Sequence, residues 1–172
     1  NEDGARAFKY VHDTVETYRG DPGRMFLTGH SAGAYIAVML ATNPVYLREV
    51  GADPAWIRGV VGIAGPYDFI PLTDPDLITI FGGNNRPETM PITYVDGKRP
   101  PMFLAMDTKD TTVWPRNTQR LSAKLRSFES PVEVKTYPGA GHIGIGLSLA
   151  AGFRHMTTLR QDILDFVVRT AP

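Results

Sequence analysis

Residues 26–34 read FLTGHSAGA, and the fold turns on how that stretch is read. Arg24 to Thr28 (RMFLT) is a short apolar run with the length and character of a buried strand. Ala32 to Ala41 (AGAYIAVMLA) is Ala-rich and apolar all round, as a buried helix is. Between them stands Gly29-His30-Ser31-Ala32-Gly33, a match to G-x-S-x-G. By residue frequencies alone, a chain of this length carries such a match roughly one time in twenty. The setting adds weight. A strand leading in and a helix leading out are the context of a nucleophile elbow, whose strained turn exposes a serine hydroxyl at the carboxyl end of a sheet. Gly29 and Gly33 are expected to leave room for the helix to pack close to the strand. The N–H of Ala32, at the helix N-terminus, is expected to donate to a developing oxyanion.

Outward from the elbow, the apolar pattern alternates between helix and strand. Residues 3–18 form a first helix with Phe8, Val11, Val15 and Tyr18 along one face. Gly20 to Gly23 is a turn. Asn43-Pro44 ends the elbow helix, and Val45 to Val50 makes a short helical turn. Ile57 to Ala64 (IRGVVGIA) is a second strand, closed by Gly65-Pro66. Residues 67–100, rich in Pro, Gly, Asp and Asn, read as a lid-like excursion with one short helix. Met102 to Met106 is a third strand, and Arg116 to Phe128 is an amphipathic helix. Val132 to Tyr137 (VEVKTY) alternates apolar and polar, which suits a strand near an edge. Thr157 to Val168 is the last helix. Strands separated by helices predict an α/β fold, a mostly parallel sheet with helices on both faces, as a single domain over residues 1–172.

A serine hydroxyl is a poor nucleophile until a base takes its proton. Of the four histidines, His12 reads as a surface or packing residue of the first helix, and His155 as the start of the last helical region. His30 adjoins Ser31, but its side chain leaves the elbow in another direction, so it is structural or pocket-lining. His142 lies in PGAGHIGIG, a glycine-rich loop after the fourth strand, from which an imidazole can reach Ser31. The base needs a carboxylate to fix its tautomer. The segment after the third strand, DTKDTTVWP, offers Asp107 and Asp110. Asp107 reads as the strand's end. Asp110, in the loop proper, is taken as the acid. The chain order Ser31, Asp110, His142 is that of the α/β-hydrolases.

On these residues the chain resembles the C-terminal part of an α/β-hydrolase carboxylesterase. The likeness is to the group of hormone-sensitive-lipase-like, feruloyl-esterase-like and prenylcysteine-methylesterase-like enzymes, together with kynurenine formamidases. It is carried by GDPGRMFLTGHSAGA, IRGVVGIAGPYDF, PMFLAMDTKDTTVWPRNT and VEVKTYPGAGHIGI. The resemblance implies Ser31 as nucleophile, Asp110 as acid and His142 as base. It implies hydrolysis of short-chain or aryl esters through an acyl-enzyme, without metal or organic cofactor. An arylformamidase or other amide hydrolase would use the same triad. A non-catalytic hydrolase-like fragment acting as a binding module is the reading from another class. Tyr35, Tyr67, Phe69, Trp114 and Ile143, with His30, are the candidate pocket residues, and for each of the first five a place in the core is the equal alternative.

Two departures from the family pattern shape the expectations. Asp107 stands where the family often has glycine, three residues before the acid. No HGGG-type loop, which supplies further oxyanion donors, precedes the elbow. The domain is therefore expected to be N-terminally incomplete, with the elbow strand left as a sheet edge. A further N-terminal segment or a homo-oligomer would cover that edge. Composition narrows the partners. Eighteen basic residues balance eighteen acidic ones in 172, which gives no support to nucleic acid or an anionic membrane. There is no cysteine, so thiolate catalysis and disulfides are excluded. No apolar stretch approaches the roughly 20 residues of a membrane span.

Overall fold

The computed structural model describes residues 1–171. Four strands, β1 (Met25–His30), β2 (Ile57–Ile63), β3 (Met102–Met106) and β4 (Val132–Thr136), lie in the order β1-β2-β3-β4, every neighbouring pair parallel. This is an α/β fold, and the sequence explains its layering. Every residue of β3 is buried, and so is every residue of β2 except Arg58. Central strands of a parallel sheet are covered on both faces, which is why these two read as unbroken apolar runs. β1 and β4 are the edges and are only half-buried.

Side chains of β2 and β3 alternate between two cores. Val60, Met102 and Leu104 face a cluster shared with α1 (Glu2–Thr14), α2 (Ala32–Thr42), α3 (Val45–Glu49) and α5 (Arg116–Ser127). Val61, Ile63, Phe103 and Ala105 face the other, with Ile145 from α6 (Gly141–Leu147) and Leu159 and Phe166 from α7 (Leu159–Thr170). Each large apolar side chain buried in this way stabilises the fold by about 1.5–3 kcal/mol. α1 contributes Ala5 and Phe8 to the first cluster. Val11 and Tyr18, expected on the same apolar face, are exposed instead. The α-helix stops at Thr14, a 3-10 turn over Val15–Tyr18 changes the spacing, and Tyr18 is carried off the packed face.

The excursion is more ordered than its composition suggests. It contains α4 (Pro75–Phe81) and two short 3-10 turns, Pro87–Thr89 and Pro91–Tyr94. Asp74 caps α4, its side chain accepting from the N–H groups of Asp76 and Leu77, and Pro75 occupies the first helical position. Gly82, at φ 70°, ends it. No helix among the described residues is long and apolar enough to cross a membrane.

Candidate active site

The turn after β1 forces Ser31 into φ 56°, ψ −121°, a conformation that costs a non-glycine residue of order 1–3 kcal/mol. It is held from both sides. The Ser31 N–H donates to the Ile63 carbonyl at 2.9 Å, and its carbonyl accepts from the Tyr35 N–H at 3.1 Å. The helix then passes over the strand. A Cβ on Gly29 would lie 2.2 Å from the carbonyl of Gly33, so no larger residue fits there. Gly33 was expected to serve the same close approach and does not, because a Cβ there meets nothing within 4 Å. Ala32 is the first residue of α2, so its N–H has no partner within the helix.

The carboxyl ends of three strands converge on this turn. His142 Nε2 lies 2.9 Å from Ser31 Oγ, and His142 Nδ1 lies 2.8 Å from Asp110 Oδ2. A carboxylate only accepts, so Nδ1 carries the proton and Nε2 presents its lone pair to the Ser31 hydroxyl. The other oxygen of Asp110 accepts from the N–H groups of Thr112 at 2.8 Å and Val113 at 3.0 Å. Asp110 is buried and His142 nearly so. Water is thereby kept from the hydrogen bond between them. The segment read as a glycine-rich loop is in part helical, with His142 in the first turn of α6.

Asp107 and His30 lie against the backbone on either side of His142. Asp107, buried beside Asp110, accepts through Oδ1 from Lys109 N–H at 2.9 Å and through Oδ2 from Gly141 N–H at 2.8 Å. The Lys109 amide holds its carboxyl below the usual range. The amides of Gly141 and Gly139 and the Lys109 charge add to this against the opposing effect of burial. His30 Nε2 lies 2.8 Å from the His142 carbonyl oxygen, and the two imidazoles are 5.0 Å apart. His12 stacks on Trp56 at 3.5 Å, and Trp56 stands just before the amino end of β2, whereas Ser31 follows the carboxyl end of β1. His155 precedes α7 rather than starting it.

Ser31 and Ala32 open onto a cavity of about 690 Å³. Tyr35, Phe69 and Phe81 form one wall, in mutual edge-to-face contact at 5.4–6.2 Å. Trp114, 56% exposed, lies at the rim with the Arg116 guanidinium 4.8 Å over its ring. Phe81 is the last residue of α4, the one short helix expected in the excursion, and only the fold brings it to the pocket.

Three expected pocket residues do not line this cavity. Tyr67 is fully buried in the core, its hydroxyl where a Cβ on Gly62 would come within 2.2 Å. The chain reverses after Gly65-Pro66 and folds the ring back into the space that Gly62 leaves. Ile143 is 63% exposed, because α6 turns Ile145, two positions on, into the core. His30 packs against Gly146 of α6 instead. A second cavity, about 480 Å³ around Arg58, Pro101 and Arg169, lies at the amino ends of β2 to β4 and contains none of these side chains. Among the described residues, no group of three or more His, Asp or Glu could hold a metal ion.

The BD-FAE family model matches residues 1–125, a span that includes Ser31 and Asp110 and stops before His142. The chain belongs to the BD-FAE family. Esterase LipQ of Mycobacterium tuberculosis is 28% identical to this BD-FAE chain over 183 residues, covering 96% of the chain and 42% of the relative. Isoprenylcysteine alpha-carbonyl methylesterase ICME of Arabidopsis thaliana is 23% identical over 167 residues, covering 84% of the chain and 39% of the relative. The chain thus spans about two fifths of the length of these curated relatives. Among solved structures, a truncated carbohydrate esterase from gut microbiota aligns with a TM-score of 0.80 at 20% identity, over 99% of this chain and 67% of that one. Thermogutta terrifontis esterase 2 with propionate bound aligns with a TM-score of 0.74 at 17% identity, over 99% and 66%. These likenesses establish the α/β-hydrolase fold of this BD-FAE chain.

Proposed function

We propose that this BD-FAE chain hydrolyses carboxylic esters through an acyl-enzyme formed on Ser31. The observation that carries the reading is the continuous line of hydrogen bonds from Ser31 Oγ through His142 to Asp110, at 2.9 and 2.8 Å. His142 Nε2 takes the hydroxyl proton as Oγ attacks the ester carbonyl carbon. Asp110 stabilises the imidazolium that forms and keeps the ring oriented. The Ala32 N–H donates to the oxyanion. His142 then gives its proton to the departing alkoxide, which leaves as the alcohol. Water, deprotonated in turn by His142, attacks the acyl carbon. The carboxylic acid leaves and the proton returns to Ser31. The relatives named as esterases favour an ester over an amide substrate.

The aromatic wall of the cavity supports small acyl or aryl groups, and the neighbour solved with propionate holds a short acid. Residues 67–100 act as the lid-like wall of this pocket, through Phe69 and α4. The test is hydrolysis of p-nitrophenyl butyrate by the chain beside its Ser31→Ala variant. The expected outcome is turnover that disappears in the variant. Equal rates for the two proteins would overturn the proposal.

A further inference from the structure

Two side chains outside the Ser31–His142–Asp110 line grip the backbone on either side of His142. Ahead of it, Asp107 Oδ2 accepts from the Gly141 N–H at 2.8 Å. Behind it, His30 Nε2 donates to the carbonyl of His142 itself at 2.8 Å. A carbonyl only accepts, so His30 carries its proton on Nε2. The arrangement follows the strand ends. His30 closes β1 one residue before Ser31, and Asp107 follows β3 three residues before Asp110. Each strand that delivers a partner of the His142 ring therefore also delivers a side chain that holds the His142 backbone.

The segment so held has little rigidity of its own. Gly139 and Gly141 sit at φ 85° and 67°, and α6 reads GHIGIGL over seven residues. So short and glycine-rich a helix does not persist without tertiary contacts. Contact with His30 is close, since a Cβ on Gly146 would stand 3.2 Å from its ring.

We propose that His30 and Asp107 are positioning residues, a two-sided clasp on the His142 peptide units that keeps the imidazole in line between Ser31 and Asp110. The inference rests on the esterase reading for its kinetic consequence. A displacement of the base by about 1 Å costs roughly 100-fold in rate, so loss of either grip is expected to fall on the chemical step rather than on binding.

His30→Met removes the donor at similar bulk, and His30→Gln returns an N–H at the same reach along the side chain. In the full chain, His30→Met is expected to slow modification of Ser31 by a fluorophosphonate probe roughly 10- to 100-fold. It should lower kcat for p-nitrophenyl butyrate in parallel and leave KM within about twofold, while His30→Gln recovers most of the loss. Unchanged labelling in His30→Met, or a Gln variant no better than Met, would overturn the clasp. Asp107→Asn, which keeps one acceptor oxygen for Gly141, should retain more activity than Asp107→Ala. Equal losses in the two would overturn that half of it. Amide exchange over residues 138–147 supplies a readout that needs no turnover. Exchange is expected to quicken in His30→Met, and an unchanged pattern refutes the clasp. A folded wild type that neither labels nor hydrolyses refutes the esterase reading instead, and the exchange data still decide the clasp.

Discussion

Gly29 lies so close under Gly33 that a Cβ on the first would stand 2.2 Å from the carbonyl carbon and oxygen of the second. The relationship is one-sided. A Cβ on Gly33 meets nothing within 4 Å, and Gly33 is exposed. The pentapeptide's two glycines therefore do different work in this chain. Gly29→Ala pushes α2 off β1 and is expected to cost about 1–3 kcal/mol. Gly33→Ala places a better helix former in the first turn of α2 and should be neutral or stabilising by up to about 1 kcal/mol. Urea unfolding of the two variants beside wild type checks both. A Gly29→Ala variant with wild-type stability would show that the helix can lift away freely.

Asp107 ties acid stability to the His142 segment. Its carboxyl is held below the ordinary value of 3.8, first by the Lys109 amide. A depressed carboxyl stabilises the fold fully above the unfolded value. Between the folded and unfolded values the unfolded chain binds more protons, so that stabilisation is lost as the pH falls through the folded value. The difference in unfolding free energy between wild type and Asp107→Asn is therefore expected to stay constant from pH 7 to about pH 5 and to close below 3.8. Asp162 keeps its own contribution in both proteins. Burial opposes its ionisation, and donors from Lys135, Tyr137 and Thr158 outweigh that effect. A difference that persists unchanged to pH 2.5 or so would assign the Asp107 effect to packing instead of charge.

What the sequence could and could not disclose follows from how local each signal is. β2 and β3 announce themselves because burial on both faces leaves no polar alternation. The elbow is legible because strand, Ser31 and helix are contiguous. The one short helix expected in the excursion is α4, whose bounds are marked by Asp74, Pro75 and Gly82 but blurred by surroundings poor in periodicity. Two features had no local signal. Tyr67 is core and not pocket because Gly62, on the preceding strand, leaves a space for its ring. α6 forms against the intrinsic preference of its glycines, about 1 kcal/mol each, where Ile145 enters the core and His30 and Asp107 bond its first turn from two other strands. The preference between Asp107 and Asp110 was likewise a choice between neighbours in sequence. Their separate bonds, to Gly141 and to the His142 ring, appear only once β4 is in place.

On the proposed ester reading, the aromatic wall of the cavity is assigned a measurable selectivity. Phe81 meets Tyr35 at 5.9 Å and Phe69 at 5.4 Å, each near perpendicular. Removing it opens the cavity toward α4 without touching Ser31. Phe81→Ala is expected to lower kcat/KM for p-nitrophenyl butyrate and to raise it for octanoate. Their ratio should shift roughly tenfold, the scale set by gaining or losing a methylene or more of apolar contact. A series of p-nitrophenyl esters from acetate to decanoate measures it. An unchanged profile would place the acyl group elsewhere in the cavity.

Asn117 joins the loops that leave β2 and β3. It is buried near the start of α5, and its Oδ1 accepts from the N–H groups of Tyr67 at 2.9 Å and Asp68 at 2.8 Å. Its Nδ2 donates to the Trp114 carbonyl at 3.1 Å. One side chain thus satisfies three backbone groups, two on the excursion and one on the loop that carries Asp110. Asn117→Ala leaves the buried Tyr67 N–H without an acceptor, at about 1–3 kcal/mol, and frees both loops. The expected result is a loss of about 2–4 kcal/mol in chemical unfolding, together with a lower kcat as the Asp110 loop slackens. Asn117→Asp keeps the acceptor for Tyr67 and Asp68 and loses only the donor to Trp114, so it should fall between Ala and wild type. The order Asn, Asp, Ala in stability follows from the acceptor being the part that matters. If Asp is instead the worst of the three, the cost of a buried charge exceeds the value of the two amides it accepts from.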